Sequence, residues 1–373
     1  MKTIIYFVSE DWYFCSHRLP IARKALAEGF RVVVITKVNK HKKIIESEGF
    51  ELAPIEIRRG GVKLFSEFKT FSVLYSYYKK YKPDIVHHVA IKPVIYGTLV
   101  ARFIGSIKIV NAMAGLGFIF ISNKKRVKLL RFFVRQLFRF LFRSKNGRLI
   151  LQNKDDLNYF LENKIVKKDQ VAIIRGSGVN IEQFTFINEA KDVPIVMLAS
   201  RMLWDKGVGE FVSASKILKD KKINTRFVLV GENDPENPSS IPQEKLDEWH
   251  ESGVIEYWGE QTKMHKVLPK ASIICLPSYR EGLPKVLLEA ASCGRPIIAT
   301  DVPGCREIVH NGENGILVPL KNSNSLASAM KELINNPEKR KIMGTNGRRL
   351  VENEFSEEIV VYQTLKVYQE LLA

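Results

Sequence analysis

Several things are scarce in this sequence, and each scarcity excludes something. Cysteine occurs four times, at Cys15, Cys275, Cys293 and Cys305, with no Cys-x-x-Cys pair. That scatter argues against a disulfide framework or a structural zinc site and fits a reducing compartment. No apolar run reaches the roughly 18 residues needed to cross a bilayer as a helix. The amino terminus offers only a short apolar run before Glu10 and Asp11, which predicts a first β-strand rather than a signal peptide. No Asp-x-Asp pair is present to chelate a divalent cation, and the histidines show no metal-ligand spacing. Acid is missing from a whole segment: between Ile85 and Lys154 there is no Asp or Glu, while fourteen Lys or Arg occur.

What is present is a chain of 373 residues, 45% hydrophobic and 26% charged, with a formal net charge of +18. This composition excludes disorder, and the length suits two domains. The unbalanced charge gives the first half a positive field, for which anionic lipid, a diphosphate-bearing molecule or nucleic acid would be partners. Short β-branched runs recur, each followed by a helical pattern. They are Thr3–Val8, Arg31–Thr36, Asp84–Val89, Lys108–Met113, Arg148–Gln152 and Val171–Ile174, then Ile195–Ala199, Phe227–Val230, Val254–Trp258, Ser272–Leu276, Pro296–Ala299 and Gly315–Val318. Strands alternating with helices predict an α/β fold of two facing Rossmann-like domains, with parallel sheets carrying helices on both faces. The expected domains are residues 1–180 and 181–355, with a last helix at 356–373. Ligands are expected beyond the carboxyl ends of the strands, in a cleft between the domains.

Two segments of the second half carry chemistry. After the strand Ile195–Ala199 come Ser200, Arg201 and, five residues on, Lys206, just before a helical run. A strand end joined to a helix start is a phosphate position. Arg201 can fork onto one phosphate and Lys206 can act as a point charge on another, together offsetting charge on a departing diphosphate. The alternative is a pair of solvated surface cations. Downstream, Glu281-Gly-Leu-Pro-Lys-Val-Leu-Leu-Glu289 sets two carboxylates eight residues apart, the first in a loop and the second inside an amphipathic run. Both can reach one cleft, and the amides near Gly282 and Leu283 can meet a phosphate ahead of the helix. The alternative for Glu289 is a place in a structural network. Asp301-Val-Pro-Gly304 fits either a wall of the same site or an ordinary turn.

The segment 277–290 resembles the Glu-x7-Glu signature of the retaining family-4 glycosyltransferases, and Ser200–Gly207 resembles their diphosphate-binding Arg…Lys segment. The resemblance covers nearly the whole chain and is strongest over 194–320. It implies that Glu281 contacts hydroxyls of the transferred sugar, that Glu289 takes the ribose hydroxyls, and that the anomeric configuration is retained. It also implies that the last helix returns to the first domain. Arg201, Lys206 and Glu281 are then the catalytic candidates.

For the first half, His88 and Lys92 resemble the family's His-x-x-x-Lys acceptor segment, with a packed strand-end histidine as the alternative. His17 and Arg18, read as lying in the connection after the first strand, are candidates for the acceptor's phosphates or else a helix-entry surface pair. Asn111–Phe118 departs from the family: Ala114 stands where many members have a histidine. Its loop, with Gly115 and Gly117, resembles the bacterial subgroup of N-acetylgalactosaminyltransferases that build lipid-linked oligosaccharides, which implies a polyprenyl-diphosphate sugar as acceptor.

Arg131, Arg135, Arg139 and Arg143 recur every four residues, interleaved with Phe132, Phe133, Leu137, Phe140 and Leu141. Such a helix can lie in an anionic bilayer interface. Otherwise it buries its phenylalanines in the domain and shows arginine to water.

These readings converge on a glycosyltransferase at the inner face of the cytoplasmic membrane. Its expected donor is a UDP-sugar carrying a hexose or N-acetylhexosamine, with N-acetylgalactosamine favoured. No metal or other cofactor and no nucleic acid are expected. A UDP-sugar epimerase of the same architecture and a non-catalytic lipid-binding protein are the alternatives.

Overall fold

The computed structural model of the chain describes residues 1–57, 64–113, 125–190, 192–235 and 237–373. The chain divides into two compact units, Met1–Ser177 with Glu358–Ala373, and Gly178–Glu357. The expected boundaries at 180/181 and 355/356 thus fall at 177/178 and 357/358.

The first unit is built on seven strands: β1 (Thr3–Glu10), β2 (Arg31–Lys37), β3 (Glu51–Pro54), β4 (Ile85–Val89), β5 (Lys108–Met113), β6 (Gly147–Leu151) and β7 (Val171–Ile173). Their order is β3-β2-β1-β4-β5-β6-β7, and every pairing is parallel. Both faces are covered, which is why the strands read as unbroken apolar runs. Along β1, Ile4, Tyr6 and Val8 enter one core and Ile5 and Phe7 the other, the period-two alternation of a strand. The helix Glu357–Leu372 contributes Val360, Leu365, Val367, Tyr368 and Leu371 to the core holding Ile4 and Tyr6. β3 carries no sequence signal: Glu-Leu-Ala-Pro is short, charged and partly exposed at a sheet edge, where proline is tolerated.

The second unit repeats the plan with β8 (Ile195–Ala199), β9 (Arg226–Val230), β10 (Glu256–Tyr257), β11 (Ile273–Leu276), β12 (Ile297–Thr300) and β13 (Gly315–Val318). The order is β10-β9-β8-β11-β12-β13, again all parallel. Val196 and Leu198 face one core, and Ile195, Met197 and Ala199 the other. In each sheet the strand order reverses once, between β1 and β4 and between β8 and β11. Such a switch point opens a ligand crevice at the carboxyl ends of the strands.

Candidate active site

The switch point of the second unit brings Lys206 and Glu281 together. β8 ends at Ala199, and the chain then passes Arg201 into a single tight turn, Trp204–Lys206. Gly207 follows with φ +73°, and a Cβ there would sit 2.1 Å from the Pro277 carbonyl oxygen. Only glycine allows this approach, which presses the Lys206 turn against the segment leaving β11. That segment is tied back to the turn: Tyr279 N–H donates to the Asp205 carbonyl at 2.8 Å, and the Ser278 hydroxyl donates to it at 3.2 Å. The Thr300 hydroxyl, at the end of β12, donates to the Ser278 carbonyl. Gly304 completes the frame, since a Cβ there would meet the Gly282 carbonyl oxygen at 2.5 Å.

On this frame Lys206 Nζ donates to Glu281 Oε1 at 2.5 Å, with both side chains largely covered. Arg201 turns the other way and pairs with Asp234 beyond β9, Nη1 to Oδ2 at 2.6 Å, with its side chain 44% exposed. Asp234 carries no motif that marks it in the sequence. Tyr279, also absent from the sequence reading, donates through its hydroxyl to Glu210 at 2.7 Å and lies under the Lys321 ammonium, 4.6 Å from the ring centre. Gly282 and Leu283 lie in the irregular stretch before the helix Lys285–Ser292, and Pro284 stands at its cap.

Glu289 lies on that helix, partly exposed, and its carboxylate makes no hydrogen bond to a described residue. Burial pushes its carboxyl up to about 7; Lys285 opposes the rise and Glu357 adds to it. The structure thus joins Lys206 to Glu281 directly and gives Arg201 a different acid.

In the first unit the sequence-predicted residues fare differently. His88 is fully buried in β4. Its Nδ1 meets Asn111 Oδ1 at 2.8 Å and its Nε2 meets the Tyr78 hydroxyl at 2.8 Å, while Gly97 leaves room for the ring. His88 is therefore a core histidine and not an acceptor contact, because both its ring nitrogens are taken by Asn111 and Tyr78. Lys92 pairs with Glu67 at 2.9 Å, and Tyr96 also donates to Glu67. His17 and Arg18 do not follow an open loop. β1 runs on to Glu10 and a helix, Asp11–His17, comes next. His17 is half-buried and stacked on Tyr13, ring centres 4.1 Å apart, while Arg18 is 3% exposed. Ala114, Gly115 and Gly117 lie outside the described residues.

The arginine stripe meets a neighbouring helix. On the helix Lys125–Phe142, Arg135 donates to Asn163 Oδ1 at 2.8 Å and Arg139 to the Asn163 carbonyl at 2.7 Å. Arg143, just beyond, reaches the Lys164 carbonyl at 2.7 Å. These acceptors sit at the carboxyl end of the helix Lys154–Glu162, so Arg135, Arg139 and Arg143 cap that helix, with Arg143 still exposed. Phe138, Leu141 and Phe142 are buried, whereas Phe132, Phe133 and Phe140 are exposed. No described helix is long and apolar enough to cross a membrane.

With this geometry in place, comparison with known proteins decides the family. Residues 180–350 match the group 1 glycosyl transferases, and residues 3–153 match a "Glycosyl transferase 4-like" model. The chain belongs to the group 1, family-4-like glycosyltransferases. It is an enzyme of that class, which removes the epimerase and the non-catalytic binder from the readings left open by the sequence. One relative is the N,N'-diacetylbacillosaminyl-diphospho-undecaprenol alpha-1,3-N-acetylgalactosaminyltransferase of Campylobacter jejuni, 28% identical over 95% of both chains. Another is the UDP-Gal:alpha-D-GlcNAc-diphosphoundecaprenol alpha-1,3-galactosyltransferase of Escherichia coli, 25% identical over 79% of this chain and 77% of that one. Among solved structures, sucrose-phosphate synthase from Thermosynechococcus elongatus superposes with a TM-score of 0.80 at 20% identity, each chain 99% covered. The Anabaena protein Alr3699/HepE in complex with UDP gives 0.78 at 15% identity, covering 99% of this chain and 100% of that one. These two likenesses bear on the fold alone.

Proposed function

We propose that this glycosyltransferase moves a sugar from a UDP-sugar to a hydroxyl of a polyprenyl-diphosphate-linked sugar, with retention at the anomeric carbon. N-acetylgalactosamine is the favoured donor sugar, which rests on the Campylobacter relative's name. The observation that carries the reading is the 2.5 Å contact of Lys206 with Glu281 at the ends of β8 and β11. A cation and a hydroxyl-binding carboxylate side by side are what a diphosphate joined to a sugar needs. In the structure they neutralise each other.

On donor binding, Lys206 turns to the diphosphate, and Arg201 leaves Asp234 to take a second phosphate oxygen. Their positive charge then opposes the negative charge that grows on the leaving UDP. Glu281, freed of its partner, accepts from hydroxyls of the transferred sugar, and Glu289 accepts from the ribose diol. The acceptor hydroxyl attacks from the face the diphosphate leaves, and the departing phosphate oxygen takes its proton. Arg201 and Lys206 supply the charge that a metal would otherwise bring, so the reaction is read as metal-independent. The exposed Phe132, Phe133 and Phe140 favour a peripheral place on the inner face of the cytoplasmic membrane, near the lipid-linked acceptor.

A panel of UDP-sugars incubated with polyprenyl-diphosphate sugars and read by mass tests the reading. One donor–acceptor pair should give a product heavier by one hexose or N-acetylhexosamine and an α-linkage from an α-donor. Turnover of other nucleotide sugars only, or an inverted linkage, would overturn it.

A further inference from the structure

One buried cation in the first unit lacks a counter-charge. Arg18, 3% exposed, joins the helix Asp11–His17 to the helix Leu19–Ala27. Its Nη1 donates to the His17 carbonyl at 3.1 Å, its Nε has no partner, and it forms no ion pair with a described residue. His87, 1% exposed on β4, meets the Tyr368 hydroxyl through Nδ1 at 2.5 Å, and its Nε2 has no partner either. Both side chains line one recess, together with Gln152, Gly176 and Thr364. Its enclosed part is about 10 Å³, room for a single oxygen atom, within about 260 Å³ once the solvent-facing part is counted. Arg18 follows β1, Gln152 follows β6 and Met113 ends β5, so the recess lies toward the carboxyl ends of the strands, beside the β1/β4 switch point.

An unpaired guanidinium taken out of water is strongly disfavoured, and each unmet buried N–H adds to that cost. A water molecule would satisfy an N–H but leave the charge. An oxyanion satisfies both. We propose that this recess seats one phosphoryl oxygen of the acceptor's diphosphate, held by Arg18 Nε and His87 Nε2. Burial and the neighbouring Arg18 keep His87 neutral. An anion here selects the tautomer with the proton on Nε2, and the Tyr368 hydroxyl then turns its proton from the Tyr6 hydroxyl, 3.3 Å away, to His87 Nδ1. The acceptor assignment rests on the lipid-diphosphate reading above; the oxyanion site itself does not.

The test has two arms. In the first, Arg18→Met is assayed with a short-chain prenyl-diphosphate sugar and UDP-sugar. The acceptor KM should rise on the order of 10- to 100-fold, the loss of a charge-assisted hydrogen bond. The donor KM and the slow acceptor-free hydrolysis of UDP-sugar should stay within twofold. An acceptor KM within twofold of wild type would overturn the acceptor assignment. In the second, wild-type crystals are soaked in tungstate, and inorganic pyrophosphate is tested as an inhibitor, which covers a variant that fails to fold. An anomalous peak beside Arg18, with pyrophosphate competing against acceptor, supports the proposal. A peak there without competition makes it a free-phosphate site and overturns the acceptor assignment. No peak there overturns the oxyanion site, and the soak is readable even if no transfer is ever found.

Discussion

Lys206 and Glu281 are 75 residues apart in sequence and 2.5 Å apart in the structure. Their proximity follows from β8 and β11 being neighbours, as the Ile273–Val196 register shows. Replacing Lys206 or Arg201 with alanine should lower kcat by about 10²- to 10³-fold each. Circular dichroism should show the fold intact in both; near-normal turnover in both variants would contradict their roles. Glu289 gives a pH signature. Its folded carboxyl titrates near 7, above the usual carboxylate value of 4.5. The folded state therefore holds a proton that the unfolded chain has lost, and stability of the empty enzyme should fall as pH rises from about 4.5 through 7. Glu289→Gln should flatten that slope in thermal melts. A ribose diol donates to the ionised form, so UDP should bind more tightly as pH rises through 7 in the wild type and not in the variant. Titration calorimetry across pH 6–8 checks this. The meeting of Lys206 and Glu281 was legible because strand-end and helix-start spacing mark both residues. Asp234 and Glu210, which hold Arg201 and Tyr279, were not, because partners reached through space leave no spacing to read.

At the level of elements, the helix Lys125–Phe142 shows where periodicity stops informing. The four-residue repeat of arginine reveals a stripe but not what it faces. The carbonyls of Asn163 and Lys164 come from another helix's end, so the stripe serves as a cap. Arg139→Ala should therefore cost about 1–2 kcal/mol in denaturant unfolding, while leaving binding to anionic vesicles within twofold. The exposed phenylalanines behave oppositely: Phe132→Ser with Phe133→Ser should weaken vesicle co-sedimentation at least roughly tenfold, from lost apolar burial, with little loss of stability. The reverse pattern would restore the basic-stripe reading. β4 teaches a similar lesson. The motif drew attention to His88, yet Asn111 and Tyr78 occupy both of its ring nitrogens. β3 escaped notice because four edge residues with two charged or proline positions carry no alternation.

Over the whole molecule, the alternation of strands and helices was enough to read two doubly wound sheets, since a parallel sheet needs a crossover between every pair of strands. The repeated switch point then assigns each unit its own ligand end, at β8/β11 and at β1/β4. Turnover should be unchanged by EDTA if Arg201 and Lys206 alone neutralise the diphosphate; loss of activity restored by a divalent cation would contradict that. The most direct test is amide hydrogen exchange of the full chain with and without UDP, resolved by peptide. Slowed exchange should concentrate in residues 200–207 and 277–289. Protection absent from both segments, while UDP is demonstrably bound, would contradict a diphosphate seated beside Lys206 and Glu281.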